Sequence, residues 1–287
     1  MSKATITLRA PGMRTTQLAL KLASQLILAF FTLVIVYPVV WMAFASLKTK
    51  PELATNIWGL PQSFTWENYT SAWEAARMGY ALTNSLIVSL GTTALVVGVA
   101  GLAGYALAHF RFRFAKAIFL LFVLTIQAGA PVIPLYVMLT RLHMTDSYQG
   151  LILPMVAGGL PLAIFIFYAF FQSIPRELRE AAVVDGCTDF GAFWRIVLPI
   201  SGPAIATVAI LQFLGAWNEY FLSLILIRSP NMRTLPLAIQ VFFYDFGRSE
   251  WTQAFAALTM GSLPMIIVYV VLQRQFIQGL TSGALKA

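Results

Sequence analysis

The chain holds 287 residues, of which 59 % are hydrophobic and only 10 % charged, with a net charge of +8. A soluble domain carries about 25 % charge, so most of this chain is expected in lipid. The basic residues are not gathered on one soluble face, which argues against nucleic acid. The single Cys187 excludes an intrachain disulfide, and His109 and His143 lie too far apart in sequence to suggest a metal site.

The N-terminus carries Lys3, Arg9, Arg14 and Lys21, and Ala43-Phe44-Ala45 resembles a signal-peptidase site. The apolar run from Leu26 to Leu47 is nevertheless too long for a signal-peptide core of about 7–15 residues. It is expected to be a retained first span. A bilayer crossing needs about 20 mostly apolar residues, and six such segments are expected at 26–47, 82–110, 117–140, 147–172, 203–228 and 252–272. The expected division is a segment 1–25, a six-helix transmembrane unit 26–272 and a tail 273–287. The fold class is all-α, a polytopic membrane protein.

The spans are not plain lipid-facing helices. The second holds Gly91, Gly98, Gly101 and Gly104, which permit close helix contact. The third holds Pro131 and Pro134; the fourth holds Pro154, Gly158, Gly159 and Pro161. Such breaks are tolerated where neighbouring helices cover the backbone or where it lines a cavity. Kinked packing and a gated pathway both remain open at this level.

Placing the N-terminus inside puts twelve of the nineteen Lys and Arg residues on the inner side and seven on the outer. The bias favours both ends in the cytoplasm. Trp58, Trp66 and Trp73 in the first outer loop suit an interfacial aromatic belt. Asn68-Tyr69-Thr70 matches a glycosylation triplet, a pattern too common to carry a role.

No phosphate loop is present, because no Gly-Lys pair occurs. Two histidines, neither beside a nucleophile in sequence, argue against Ser/His/Asp catalysis, and nothing else supplies a catalytic constellation for a membrane enzyme. Glu219 is the only acid expected inside a span, which is thin for an ion-coupled carrier. The chain reads as a conduit without its own motor. Polar residues within spans are costly and often functional, so Asn84, Gln127, Asn218 and Glu219 are the substrate-pathway candidates. Each also reads as an interhelical hydrogen bond.

One inner loop is unlike the rest. Residues Ser173 to Ser201 carry Arg176, Glu177, Arg179, Glu180, Asp185, Asp189 and Arg195 among Phe, Trp and Val. Pro175 suits a helix start, Glu177 suits the positive end of the helix dipole, and Ala181 and Ala182 favour helix. Asp185-Gly186 then breaks the run, and Thr188 is a good N-cap for a second helix. There Phe190, Phe193, Trp194 and Val197 fall at i, i+3, i+4 and i+7, one apolar stripe. The stripe has two possible homes: the membrane surface or the chain's own helix ends, and a groove on a partner protein.

The run "EAAVVDGCTDFGAFWRIVLP" resembles the EAA signature of ABC-importer permeases, through Glu180, Ala181, Ala182, Gly186, Ile196, Leu198 and Pro199. The stretches "LPQSFTWENYTSAW", "WNEYFLSLIL" and "QRQFIQGLTSGALK" are similar to the shorter, six-span subunit of the maltose-type carbohydrate branch. The resemblance covers essentially the whole chain, and Cys187 directly after Gly186 is its one departure. It implies a type I importer architecture in a bacterial or archaeal cytoplasmic membrane. It implies as partners a second homologous permease, two ATP-binding subunits and an extracytoplasmic solute-binding protein. The loop would couple to the ATPases through Glu180, Ala181, Ala182, Asp185, Gly186, Phe190, Phe193, Trp194, Ile196, Leu198 and Pro199, with Gly279, Thr281 and Gly283 of the tail as a second contact. No cofactor is expected on this chain; ATP and Mg2+ would sit in the partner subunits. A self-contained carrier or channel is the alternative, and neither the sugar, polyol or derivative carried nor direct contact with it follows from the sequence.

Overall fold

The computed structural model describes residues 12–110, 112–126, 131–184, 186–244 and 250–284. The first helix, α1 (Gly12–Ala45), contains Pro38 and is followed by two short helices, α2 (Lys50–Thr55) and α3 (Glu67–Ala75). Next come α4 (Met78–His109), α5 (Ala115–Thr125), α6 (Val132–Arg141) and α7 (Tyr148–Gln172). The charged loop forms α8 (Arg176–Val184), α9 (Asp189–Ala192), a π-helical turn Phe193–Val197 and α10 (Leu198–Ile200). The chain then continues through α11 (Gly202–Trp217), α12 (Phe221–Leu226), α13 (Leu235–Ile239), α14 (Val241–Tyr244) and α15 (Trp251–Ala284).

Among the described residues, four helices are long and apolar enough to cross a membrane: Leu20–Ala45 within α1, α4, α7, and Trp251–Arg274 within α15. The third expected span is not one helix. Its polypeptide forms α5 and α6, and Pro131 stands as the N-cap of α6, where it has no N–H to give an upstream turn. The fifth expected span is interrupted as well. Helix α11 stops at Trp217, and the Glu219 carboxylate accepts the Leu222 N–H at 2.7 Å, capping α12 instead of sitting in a continuous helix. The last helix runs without a break past Gln273 to Ala284.

Helices α4, α7 and α11 form the centre, with α4 packed most extensively on α7. The close approach is made at Gly104, where an added Cβ would lie 2.8 Å from Phe167 Cβ and 3.1 Å from the Tyr168 backbone nitrogen. The core around this contact joins Val96, Ala100, Phe167, Phe171 and Val208. A second core lies among α3, the start of α4, α11, α13 and α15, and includes Met78, Phe213, Trp217 and Leu235. A third joins Val88, Leu139, Leu151 and Leu226. The most apolar stretch of the α1 span has no residue buried within the chain; only its end, at Ala45, is buried.

Polar groups fasten the bundle end opposite the charged loop. Lys48 is fully buried; its Nζ donates to the carbonyls of Asn56 at 2.6 Å and Ile57 at 3.2 Å, at the C-terminal end of α2. A cation at a helix C-terminus is favourably placed against the dipole. The Asn68 amide donates to Ser46 and Lys48 carbonyls at 2.8 Å each, so the side chain of the triplet is engaged in the fold.

Candidate functional site

The charged loop folds as two short helices about a left-handed glycine. Gly186 has φ +84 and open space around the position of a Cβ. Its conformation lets the chain reverse: the Cys187 N–H returns to the Ala182 carbonyl at 2.9 Å. Thr188 then caps α9, its Oγ1 accepting the Gly191 N–H at 3.1 Å. From α9 through α10 the segment meets α11 at 77°, and Ser201 occupies the bend. The Ser201 hydroxyl is buried and donates to the Val197 carbonyl at 2.6 Å.

The apolar stripe divides. Phe193 and Val197 are buried, whereas Phe190 is 63 % and Trp194 51 % exposed. At about 100° per residue the four side chains span an arc of about 100°. Phe193 and Val197 occupy one edge of that arc and pack on the ends of α4 and α7. The Phe193 ring lies 4.9 Å from that of Tyr105 and 6.4 Å from Phe171, and the Tyr105 hydroxyl donates to the Asp189 carbonyl at 3.3 Å. Phe190 and Trp194 occupy the other edge, beyond the bundle, edge-on to each other at 6.1 Å. Leu178 and Val184 of α8 are exposed too, Val184 at 86 %. The π turn at Phe193–Val197 carries the Leu198 N–H to the Phe193 carbonyl. One segment therefore grips its own bundle and presents an apolar surface outward.

Among the other residues singled out, Ala182 is buried and Ala181 exposed; Ile196 and Leu198 are half-buried and Pro199 is exposed. Glu180 lies on α8, but its side chain and the whole of Asp185 fall outside the described residues. Gly279, Thr281 and Gly283 belong to α15 by their backbone, and their side chains are likewise outside the description.

A cleft of about 360 Å3 opens between α4, α7 and α11, lined by Thr92, Met155, Gly158, Gly159, Gln212 and Glu219 among others. Glu219 is thus brought to the cleft. Asn218 is exposed and its amide returns to the Leu214 carbonyl at 2.8 Å. Asn84 is buried elsewhere: its amide donates to the carbonyls of Asn231 at 2.8 Å and Arg233 at 3.0 Å, and its oxygen accepts the Tyr148 hydroxyl at 2.7 Å. Both donors and the acceptor of Asn84 are used within the protein. Gln127 lies outside the described residues. Sequence reasoning missed Gln212, whose amide points to the Gly159 carbonyl at 3.5 Å. The signal was present: a polar residue inside the fifth expected span, facing the Gly158-Gly159 pair of the fourth.

The family described as binding-protein-dependent transport system inner membrane component matches residues 100–282. The sulfoquinovosyl glycerol transport system permease protein SmoH of Agrobacterium fabrum is 36 % identical over 253 residues, covering 87 % of this chain and 88 % of the relative. The arabinooligosaccharides transport system permease protein AraQ of Bacillus subtilis is 32 % identical over 272 residues, covering 93 % and 96 %. A solved chain of a bacterial ABC transporter involved in the import of the acidic polysaccharide alginate superposes with a TM-score of 0.81, at 21 % identity and over 94 % of this chain and 99 % of that one. That likeness is one of fold.

Proposed function

The chain belongs to the family of binding-protein-dependent transport system inner membrane components, and on that premise we propose that it is a permease subunit of an ATP-driven importer for a sugar or sugar-like solute. It is a multi-pass membrane protein. In this reading the charged loop and both termini face the cytoplasm, as the distribution of Lys and Arg supports. Two ATP-binding subunits hold ATP and Mg2+ and receive the loop; a second homologous permease completes the pathway; an extracytoplasmic binding protein delivers the solute. The carbohydrate class is supported by the names of the two relatives, which transport systems for sulfoquinovosyl glycerol and arabinooligosaccharides contain.

The observation that carries the proposal is the divided stripe. Phe193 and Val197 root the α9–α10 segment in the ends of α4 and α7, while Phe190 and Trp194 stand exposed. A closing motion applied at Phe190 and Trp194 is thereby passed to the two central spans through packed side chains, which transmit strain because protein interiors are close-packed. Exposed aromatic anchors of this kind dominate binding where a partner groove covers them. Glu180 and Gly186 set the geometry of the turn, and the helical continuation of α15 carries Gly279, Thr281 and Gly283 toward the same ATPase pair. The cleft containing Gln212 and Glu219 is the solute path, open on the side that the second permease closes.

The test is the substrate-stimulated ATPase activity of the assembled complex with Gly186→Val. Open space surrounds Gly186, so the cost comes from the left-handed backbone, about 1–2 kcal/mol. Stimulation should fall about 5–30-fold while the chain still inserts and assembles. Undiminished stimulation would contradict the role of the turn.

A further inference from the structure

At the bundle end opposite the charged loop, α3 passes into α4 through Ala76 and Arg77. Arg77 adopts φ +47 and ψ 47, a left-handed conformation uncommon for a residue with a side chain. That turn folds the end of α3 back on the start of α4, and a cavity of about 330 Å3 lies between them. It is lined by Trp73, Glu74, Arg77, Gly79, Tyr80 and Asn231. Trp73 and Tyr80 are 48 % and 57 % exposed, so both rings are available beside the cavity. Gly79 lies against Trp73, with its Cβ position 3.6 Å from the ring.

The polar wall is held in place. The Arg77 guanidinium donates to the Asn231 side-chain oxygen. The Asn231 carbonyl accepts from the Asn84 amide at 2.8 Å, and Asn84 in turn holds the Tyr148 hydroxyl of α7 at 2.7 Å. The wall is therefore tied to two membrane-spanning helices. Glu74 has no protein partner for its carboxylate among the described residues, and that acceptor faces the same space.

The composition of the site selects its ligand. Two aromatic faces suit the C–H faces of a sugar ring. Guanidinium and amide N–H groups donate, and a carboxylate accepts, so adjacent hydroxyls find partners of both kinds. Glu74 and Arg77 cancel in charge, which gives a free anion or cation no net attraction. An acyl chain would leave the charged rim unpaired. Two aromatic side chains beside three polar ones offer a small molecule both an apolar platform and hydrogen-bond partners that fix its orientation.

We propose that this cavity is a saccharide-receiving subsite at the outward mouth, which takes one neutral sugar ring before the solute enters the cleft between α4, α7 and α11. The assignment rests on the sugar-importer reading above. The loop geometry around Arg77, the two aromatic side chains lining the cavity and the network through Asn84 are the features that build it.

Two measurements on the assembled complex in lipid nanodiscs separate the two claims. Uptake of radiolabelled glucose, maltose and arabinotriose, with the binding protein present, is measured first. Uptake of none of them overturns the subsite as assigned, and ATP-driven uptake of a non-sugar solute in their place overturns the sugar reading with it. With the sugar that is taken up, Trp73→Ala and Glu74→Gln should each raise the KM about fivefold or more at unchanged maximal rate. Tyr80→Phe, which keeps the ring, should behave as wild type. In the complex without binding protein, the 19F resonance of 5-fluorotryptophan at position 73 should move on adding that sugar. Sugar uptake with an unchanged KM in Trp73→Ala and Glu74→Gln and a stationary resonance overturns the subsite and leaves the importer reading standing. Weakened capture of ligand-free binding protein by the same variants also overturns it, assigning the face to protein docking instead.

Discussion

Asp146 sits in the turn between α6 and α7 with φ +53, and its carboxylate ties that turn to the end of α12. Oδ1 accepts the N–H groups of Arg228 and Ser229 at 3.0 Å each, and Oδ2 pairs with the Ser229 hydroxyl. The Ser229 hydroxyl above all, then the backbone N–H groups and the Arg228 charge, hold the carboxyl below its ordinary value of 3.8. A depressed folded pKa means that the unfolded chain takes up protons first as the pH falls. The stabilisation is therefore present above 3.8 and is lost as the pH drops through the lower folded value. Asp146→Asn should lower the thermal midpoint at neutral pH, and the gap from wild type should close in acid below that value. A gap that stays constant across this range would show that the charge is not what matters. Asp146 could not have been singled out from sequence, because its partners lie more than eighty residues away. Lys48 was missed for a different reason: the charge count treats it as an outer-side cation, whereas the fold buries it against carbonyls eight and nine residues on.

Residues of the stripe separate in the same way. Phe193→Ala removes a buried ring and should cost about 3–5 kcal/mol of stability. Trp194→Ala, at a half-exposed site, should leave the thermal midpoint nearly unchanged and weaken binding of the ATP-binding subunits by about 2 kcal/mol or more. Thermal unfolding of the isolated chain and capture of the ATPase pair read the two separately. Equal effects of both variants on both measurements would contradict the division.

Among the elements, the continuous apolar runs were legible: α1, α4, α7 and α15 stand where hydropathy places them. The glycine turn and the cap of α9 were legible too, because φ > 0 and N-capping are local demands that Gly186 and Thr188 meet alone. The third span was legible only in part, since Pro131 marks a break but the apolar run around it still reads as one span; the fifth was not, since hydropathy averages across Asn218-Glu219 and sees no break there. Which edge of the Phe190–Val197 arc is buried depends on where α4 and α7 end, a tertiary fact. Close helix contact was anticipated from four glycines in α4, yet they differ. Gly104 meets Phe167 and the Tyr168 backbone, whereas Gly98 meets nothing within 4 Å. Gly104→Ala should separate α4 from α7 at a cost of about 1–3 kcal/mol, and Gly98→Ala should be tolerated. Similar thermal midpoints for the two variants would contradict the contact as described.

As a whole, the molecule is incomplete by its own surfaces. The most apolar stretch of α1 has no residue buried in the chain, the Gln212 cleft is open, and Phe190, Trp194 and Val184 stand exposed on the charged loop. In the function proposed above, lipid and a second permease cover the first two, and an ATP-binding subunit covers the third. Cys187, the sole cysteine of the chain, is half-buried in the Gly186 turn between α8 and α9 and serves as a reporter of that contact. The most direct measurement places a maleimide-benzophenone label on Cys187 in the assembled complex with cysteine-free ATP-binding subunits, followed by illumination. Covalent joining of this chain to an ATP-binding subunit is the predicted result. An intact complex in which Cys187 joins only lipid or its own chain would contradict docking of the charged loop.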